Sequence, residues 1–173
     1  MSRKKWLPFL LVLFAVLGLD QVSKSWILAN VPLGSSLQPI PFLYPYFQIT
    51  FSTNTGAAFG IFPDASGVFL LIAIVVCSVI VYFYVQSPSD DHLLHVALAL
   101  VVGGAVGNVI DRLQHGYVVD FVHLTIPRVI SNVSNFADHA IVLGVILLII
   151  DNILKERQKK RALALASDKQ LLD

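Results

Sequence analysis

Two aspartates stand at the edges of hydrophobic runs, where a charge is costly. Asp120 lies inside VVDF, residues 118–121, and Asp138 opens the greasy stretch of NFADHAIVLGVILLII, residues 135–150. Two carboxylates that share one site cannot both ionise cheaply, so one keeps its proton while the other serves as a base. Such a pair activates a water and protonates a departing group, which suits amide hydrolysis with neither a metal nor a covalent intermediate. Aspartate near a helix start is also an ordinary cap, so Asp138 has a structural reading as well. The surroundings of Asp120 offer no cap role.

Other polar residues have the spacing to support such a pair. Asp20 and Lys24 are four apart with the acid first, which puts them on one helix face. They form a local salt bridge, a snorkelling lysine, or a polar wall for a substrate, and Gln21 is expected to turn to another side. In GGAVGNVIDR, residues 103–112, the residues Gly104, Asn108 and Arg112 repeat every four positions and stack on one face. Gly103 and Gly107 make a small-xxx-small pair that permits close helix approach. Asn108 reads as an interhelical strut, Arg112 as a reach toward a loop carbonyl or another carboxylate, and Asp111 as support. TNTGAAFG, residues 53–60, reads as a turn around Asn54 and Gly56, or as a backbone edge for an extended peptide. Asp64, Asp90, Asp91, Asp151 and the tail charges read as solvated or interfacial. His123 and His139 fit no metal-ligand spacing, no G-x-S-x-G elbow occurs, and Cys77 reads as a buried small hydrophobe. No metal and no cofactor are expected.

Composition says what must position these groups. The chain has 173 residues, is 56% apolar and 13% charged, and has a mean hydropathy of +0.76; a soluble domain carries about 25% charge. This is a membrane protein of one domain, 1–173. With a net charge of +1 and no basic patch interleaved with aromatics, nucleic acid is not a partner. Four segments are long enough to span, at about 6–28, 67–85, 93–113 and 136–154. Lipid requires helices or a closed barrel, since backbone groups must be paired internally, and continuous apolar runs favour helices over barrel strands, so the fold class is an all-α membrane protein with four transmembrane helices. The N-terminal basic residues and apolar run resemble a signal peptide but are read as a retained first span. Arg3, Lys4 and Lys5, with Lys155, Arg157, Lys159, Lys160, Arg161 and Lys169, put both tails in the cytoplasm. The tail 155–173 reads as a frayed helical extension. Segments 29–66 and 114–135 then face outward, and YFQITFST, residues 46–53, has the alternation of a short strand or hairpin. On this topology nearly every polar residue of the spans falls near the outer interface, which marks a site.

The blocks DQVSK (20–24), NTGAAFG (54–60), GGAVGNVIDR (103–112), VVDF (118–121) and NFAD (135–138), in this order across four spans, resemble those of the lipoprotein signal peptidases, the bacterial type II signal peptidases. The resemblance runs from about Trp6 to about Asn152. It implies an intramembrane aspartic endopeptidase of the bacterial cytoplasmic (inner) membrane. Such an enzyme removes the signal peptide from prolipoproteins just before a cysteine that already carries diacylglycerol. It implies catalytic roles for Asp120 and Asp138 and binding or supporting roles for Asp20, Lys24, Asn54, Gly56, Gly104, Asn108, Arg112 and Asn135. It also implies a small extracytoplasmic β-like cradle between helices one and two, around 40–60, a site near the outer leaflet in contact with phospholipid, and a monomer. The chain departs from the family at Thr53, where a basic or aromatic residue often stands, and at Ser134, where phenylalanine often precedes the asparagine. Without the resemblance two rivals stay open. A proton-coupled transporter would place polar groups at the midplane and on both sides. A structural subunit would tolerate loss of either aspartate.

Overall fold

A computed structural model describes residues 3–56 and 66–172, with side chains described over 6–56 and 66–165. Among the described residues there are four α-helices: α1 (Arg3–Asn30), α2 (Ser66–Gln86), α3 (His92–His115) and α4 (Phe136–Leu172). All four are long and apolar enough to cross a membrane. The helices overrun the predicted spans by a few residues, and α4 runs unbroken through the segment expected to fray. Its turns beyond 154 continue a helix that is already nucleated, so each added residue costs little.

The helices do not share the interior equally. In α3, 56% of the most apolar stretch is buried, against 6% in α2 and 11% in α1. The central helix is therefore α3, and the other three turn most of their apolar surface outward, as a lipid-facing helix does. Glycines let neighbours approach it. A side-chain carbon at Gly104 would lie 2.3 Å from the Ala137 carbonyl oxygen of α4, and one at Gly107 would lie 2.6 Å from the Asp20 carboxylate of α1. The α3 helix ends at Gly116, whose φ of 81° closes the helix through its N–H to the Arg112 carbonyl.

At one end of the bundle, called here the sheet end, lies a four-stranded antiparallel sheet in the order β1 (Ser36–Leu37), β2 (Phe47–Asn54), β3 (Val118–Ile126), β4 (Ile130–Ser134). The expected strand in 46–53 is β2. The confinement of β structure to the segment between helices one and two is corrected: half of the sheet comes from 114–135, so the protein is not all-α even outside that segment. The reason lies in burial. Val118, Val119, Asp120, Phe121 and Val122 are all buried, and a strand covered on both faces loses the alternation by which a half-exposed strand is read. Ile27 of α1 and Val31, just past its end, pack with Phe51, Val119, Phe121 and Val122 into a core that fixes the sheet on the bundle. A register irregularity in β2 between Ile49 and Ser52 sets Ser52 opposite Asp120 and Asn54 opposite Val118, which re-aims the strand end beside the first aspartate.

At the opposite end Phe9, Tyr84, Leu98, Ala99 and Val102 form a second core, packed by Trp6, Cys77 and Leu148. Cys77 is only partly buried. Of the solvated or interfacial readings offered for Asp151, the solvated one does not hold: it is 8% exposed and pairs with Lys155, as does Asp91. Asp64 lies outside the described residues.

Candidate active site

The site is built where the ends of α1, α3, β2, β3 and α4 meet. Lys24 is the hub of its support. Its ammonium lies 2.8 Å from Asp20, 2.9 Å from Asp111 and 3.0 Å from Asn108 Oδ1, all of them buried. The i,i+4 pair read from the sequence is thus one edge of a larger net. Asp20 also accepts the Ala137 N–H at 2.9 Å, satisfying one of the orphan donors in the first turn of α4. Asp111 accepts the Val119 N–H at 2.9 Å, which ties α3 to β3 one residue before Asp120. The expectation that Gln21 turns elsewhere is corrected. Its amide donates to Asp20, to the Gly107 carbonyl and to Asp111 at 3.0–3.2 Å. One helical residue on, a long side chain can curl back into a groove that Gly107 leaves open.

Asn135 joins the two aspartates. It immediately precedes α4, and its Oδ1 accepts the Asp138 N–H at 2.9 Å, the geometry of an N-cap. Its Nδ2 donates to Asp120 Oδ1 at 2.6 Å. The cap role considered for Asp138 therefore belongs to Asn135, and the Asp138 carboxylate is left to accept Asn108 Nδ2 at 2.8 Å. Asn54, at the end of β2, donates to the other Asp120 oxygen at 3.1 Å, and its own Oδ1 accepts the Gly56 N–H at 3.0 Å. Arg112 donates to the Gly56 carbonyl at 2.9 Å, fixing the turn that carries Asn54. Nine of the ten residues singled out by the resemblance thus lie in one connected set. Gly104 stands one turn away from it and acts through α3–α4 packing alone.

Asp120 is nearly inaccessible and has Asp138 for an anionic neighbour. Burial first, and the Asp138 charge second, raise its pKa from 3.8 to about 7, against the downward pull of Asn54, Asn135 and Lys24. A carboxylic acid that keeps its proton close to neutrality, beside a second carboxylate, is the condition for acid and base in one site. A cavity of about 630 Å³ opens on Asp138, with Asn54 and His139 also at its polar edge and Leu124, Ile126, Ile130 and Val142 along its wall. A second, wholly apolar groove of about 650 Å³ runs between α1 and the sheet, lined by Val22, Trp26, Phe121 and Phe136.

Sequence reasoning missed Gln21. Asp111 holds the supporting place expected of it, four residues past Gly107 on the face that meets α1.

A multi-pass helical membrane protein with paired carboxylates at the edge of a mostly apolar cavity is the class that fold and site define. Comparison with known proteins agrees and narrows it. The family model described as Signal peptidase (SPase) II matches residues 12–154. The lipoprotein signal peptidase of Moorella thermoacetica is 44% identical over 142 residues, covering 82% of this chain and 90% of the relative. That of Shewanella woodyi is 39% identical over 156 residues, covering 88% and 85%. A solved structure described as a bacterial membrane enzyme determined by the in meso method at 2.3 Å resolution superposes with a TM-score of 0.79 at 35% identity, covering 88% of this chain and 90% of that one. A second of the same description at 1.9 Å gives 0.73, also at 35% identity, covering 82% and 90%. The chain belongs to the signal peptidase II family and is a protease of that family.

Proposed function

We propose that this protein removes the signal peptide from prolipoproteins whose cysteine already carries diacylglycerol, cleaving just before that cysteine with Asp120 and Asp138 as an aspartic dyad. The observation that carries the reading is the Asn135 side chain, which caps the Asp138 N–H and binds the Asp120 carboxylate at once. The two acids are thereby tied through one side chain beside the cavity that Asp138 lines.

In this reading Asp120 begins protonated and Asp138 ionised. Water adds to the scissile carbonyl carbon while Asp138 takes one of its protons, and Asp120 gives its proton to the carbonyl oxygen. The tetrahedral diol then collapses. Asp120 recovers a proton from a diol hydroxyl, Asp138 gives its proton to the leaving nitrogen, and the C–N bond breaks. Both acids return to their starting states, with no metal or cofactor required. Asn108 orients the Asp138 carboxylate, and Lys24 orients Asn108. Asn54 and Asn135 orient Asp120, while Arg112 and Gly56 hold the turn that presents Asn54. Asp20 balances Lys24 and anchors the start of α4, and Gly104 sets the distance between α3 and α4.

The basic tails support four spans with both termini in the cytoplasm of a bacterium. The sheet end then lies at the outer leaflet of the inner membrane. The substrate's acyl chains stay among the phospholipids while its extended peptide crosses the dyad, and one chain suffices as a monomer. The test is cleavage of a lipidated precursor by protein purified in detergent. Wild type cuts before the modified cysteine; Asp120→Asn and Asp138→Asn fold and bind but do not cut. Cleavage by either variant at the wild-type rate defeats the dyad.

A further inference from the structure

His139 follows Asp138 on α4 and lines the same cavity, yet nothing in the dyad mechanism uses it. Its ring is tied to β4. Nε2 lies 3.3 Å from Ser134 Oγ, and Ser134 in turn points its hydroxyl at the Val122 carbonyl at 3.4 Å. That chain has only one direction. A carbonyl only accepts, so the single Ser134 proton is spent on Val122, and Ser134 Oγ is left to accept from His139. The neutral ring therefore carries its proton on Nε2 and presents Nδ1 as a lone pair. Ser134 is held in place by its backbone pairing with Val122 across β3 and β4. His139 itself is exposed and lines a mostly apolar cavity.

We propose that His139 is a substrate-binding residue that accepts one backbone N–H of the peptide lying across the dyad, with Ser134 as the positioning residue that fixes its tautomer. The inference rests on the peptidase reading above. The chemistry of the substrate selects the peptide over the lipid as the partner. A diacylglyceryl thioether offers ester and thioether acceptors and no donor, so a lone pair gains nothing from it. An extended peptide offers an N–H at every residue, and in a cavity that admits few polar groups an N–H left unpaired is costly. A few well-placed polar groups in an apolar pocket are what fix the orientation of a ligand.

The test uses full-length protein in detergent and a series of lipidated peptides in which one amide N–H at a time is replaced by an ester oxygen. Wild type loses about 3- to 10-fold in kcat/KM at one position in the series, the worth of one hydrogen bond. His139→Leu raises KM for the all-amide peptide by a similar factor, leaves kcat nearly unchanged, and is blind to the replacement at that one position. His139→Asn, whose Oδ1 takes the place of Nδ1, restores the sensitivity. Ser134→Ala, which releases the ring, weakens it. Additive losses for His139→Leu at every position would overturn the proposal. So would coupling of His139 to a dialkyl ether lipid in place of the ester lipid, since that would make the ring a donor to the lipid. Failure of wild type to cleave any of the peptides defeats the peptidase reading itself, and this inference with it. Cleavage without coupling defeats the inference alone.

Discussion

The bundle uses the same device at both ends, a lysine held between two aspartates, with opposite exposure. At the sheet end Lys24 sits between Asp20 and Asp111, and none of the three side chains is more than 2% exposed. At the other end Lys155 sits between Asp91 and Asp151 with 47% of its side chain exposed. Water screens the second cluster, so its pairs contribute no more than about 1 kcal/mol. The first has no water to fall back on. Each carboxylate there must be answered by the ammonium, by Gln21 or by a backbone N–H, and the price of removing one partner is set by the charges left behind. The neighbouring interiors differ in the same way. Around Lys155 the bundle closes through aromatic rings: Tyr84 meets Phe9 at 4.3 Å and His95 at 4.9 Å, between centroids. Around Lys24 it closes through hydrogen bonds that continue through Asn108 to Asp138. One end could be repacked with other apolar side chains, whereas the other specifies atoms.

The contrast is sharpened most by Asp120→Asn and Asp138→Asn, which keep shape and remove acid or base. Each lowers the cleavage rate by at least about 10²- to 10⁴-fold, read from product formation with the lipidated precursor, while the thermal unfolding profile stays cooperative. Lys24→Met strands two buried carboxylates and costs about 3–5 kcal/mol of stability, measured by denaturation in detergent. A loss no greater than that of Lys155→Met would break the comparison.

Gly104→Ala pushes a methyl group against the Ala137 carbonyl and moves the start of α4 away from α3. It costs about 1–3 kcal/mol and lowers activity through the altered position of Asp138, with the wild-type pH profile kept.

The pH dependence follows from Asp120. With a folded pKa of about 7, the protonated acid is depleted above neutrality, so the rate falls about tenfold per pH unit on the alkaline side. Stability moves in the same direction. Between pH 3.8 and about 7 the folded protein holds a proton that the unfolded chain has released. This contribution is full at the acid end and is lost as pH rises through 7. Asp120→Asn flattens that slope, and an unchanged slope in the variant would show that another group carries it. The smallest effect is Lys155→Met, at about 1 kcal/mol or less, with activity unaltered; high salt should erase the difference from wild type.

Much of the site was legible before any coordinates. The four helices long and apolar enough to span follow from run length and continuous hydropathy, which favour a helix over the weak alternation of a barrel strand. The candidate residues follow from where charge is tolerated and from five ordered blocks. Asp20–Lys24 is a local pair, so spacing alone could find it. Gly104, Asn108 and Arg112 share a face by the period of the helix. Local rules do not reach contacts 90 residues apart. Gln21 on Asp111 was missed because its direction depends on the groove at Gly107 and not on its own helix period. The strand β3 was missed because burial on both faces of its first half hid the alternation, and β4 because ISNVS is short and mostly polar.

The sequence by itself therefore determined the medium, the helices and the identity of the polar residues, since each rests on hydropathy or on spacing within a single segment. Only the tertiary structure decided which residue caps α4, that Asn135 binds both aspartates, and that the sheet draws on both connecting segments. It also decided that Asp120 is buried deeply enough to hold a proton near neutrality. Those outcomes depend on groups from distant segments competing for the same few donors and for the same dry space, and that competition is settled only when the helices pack.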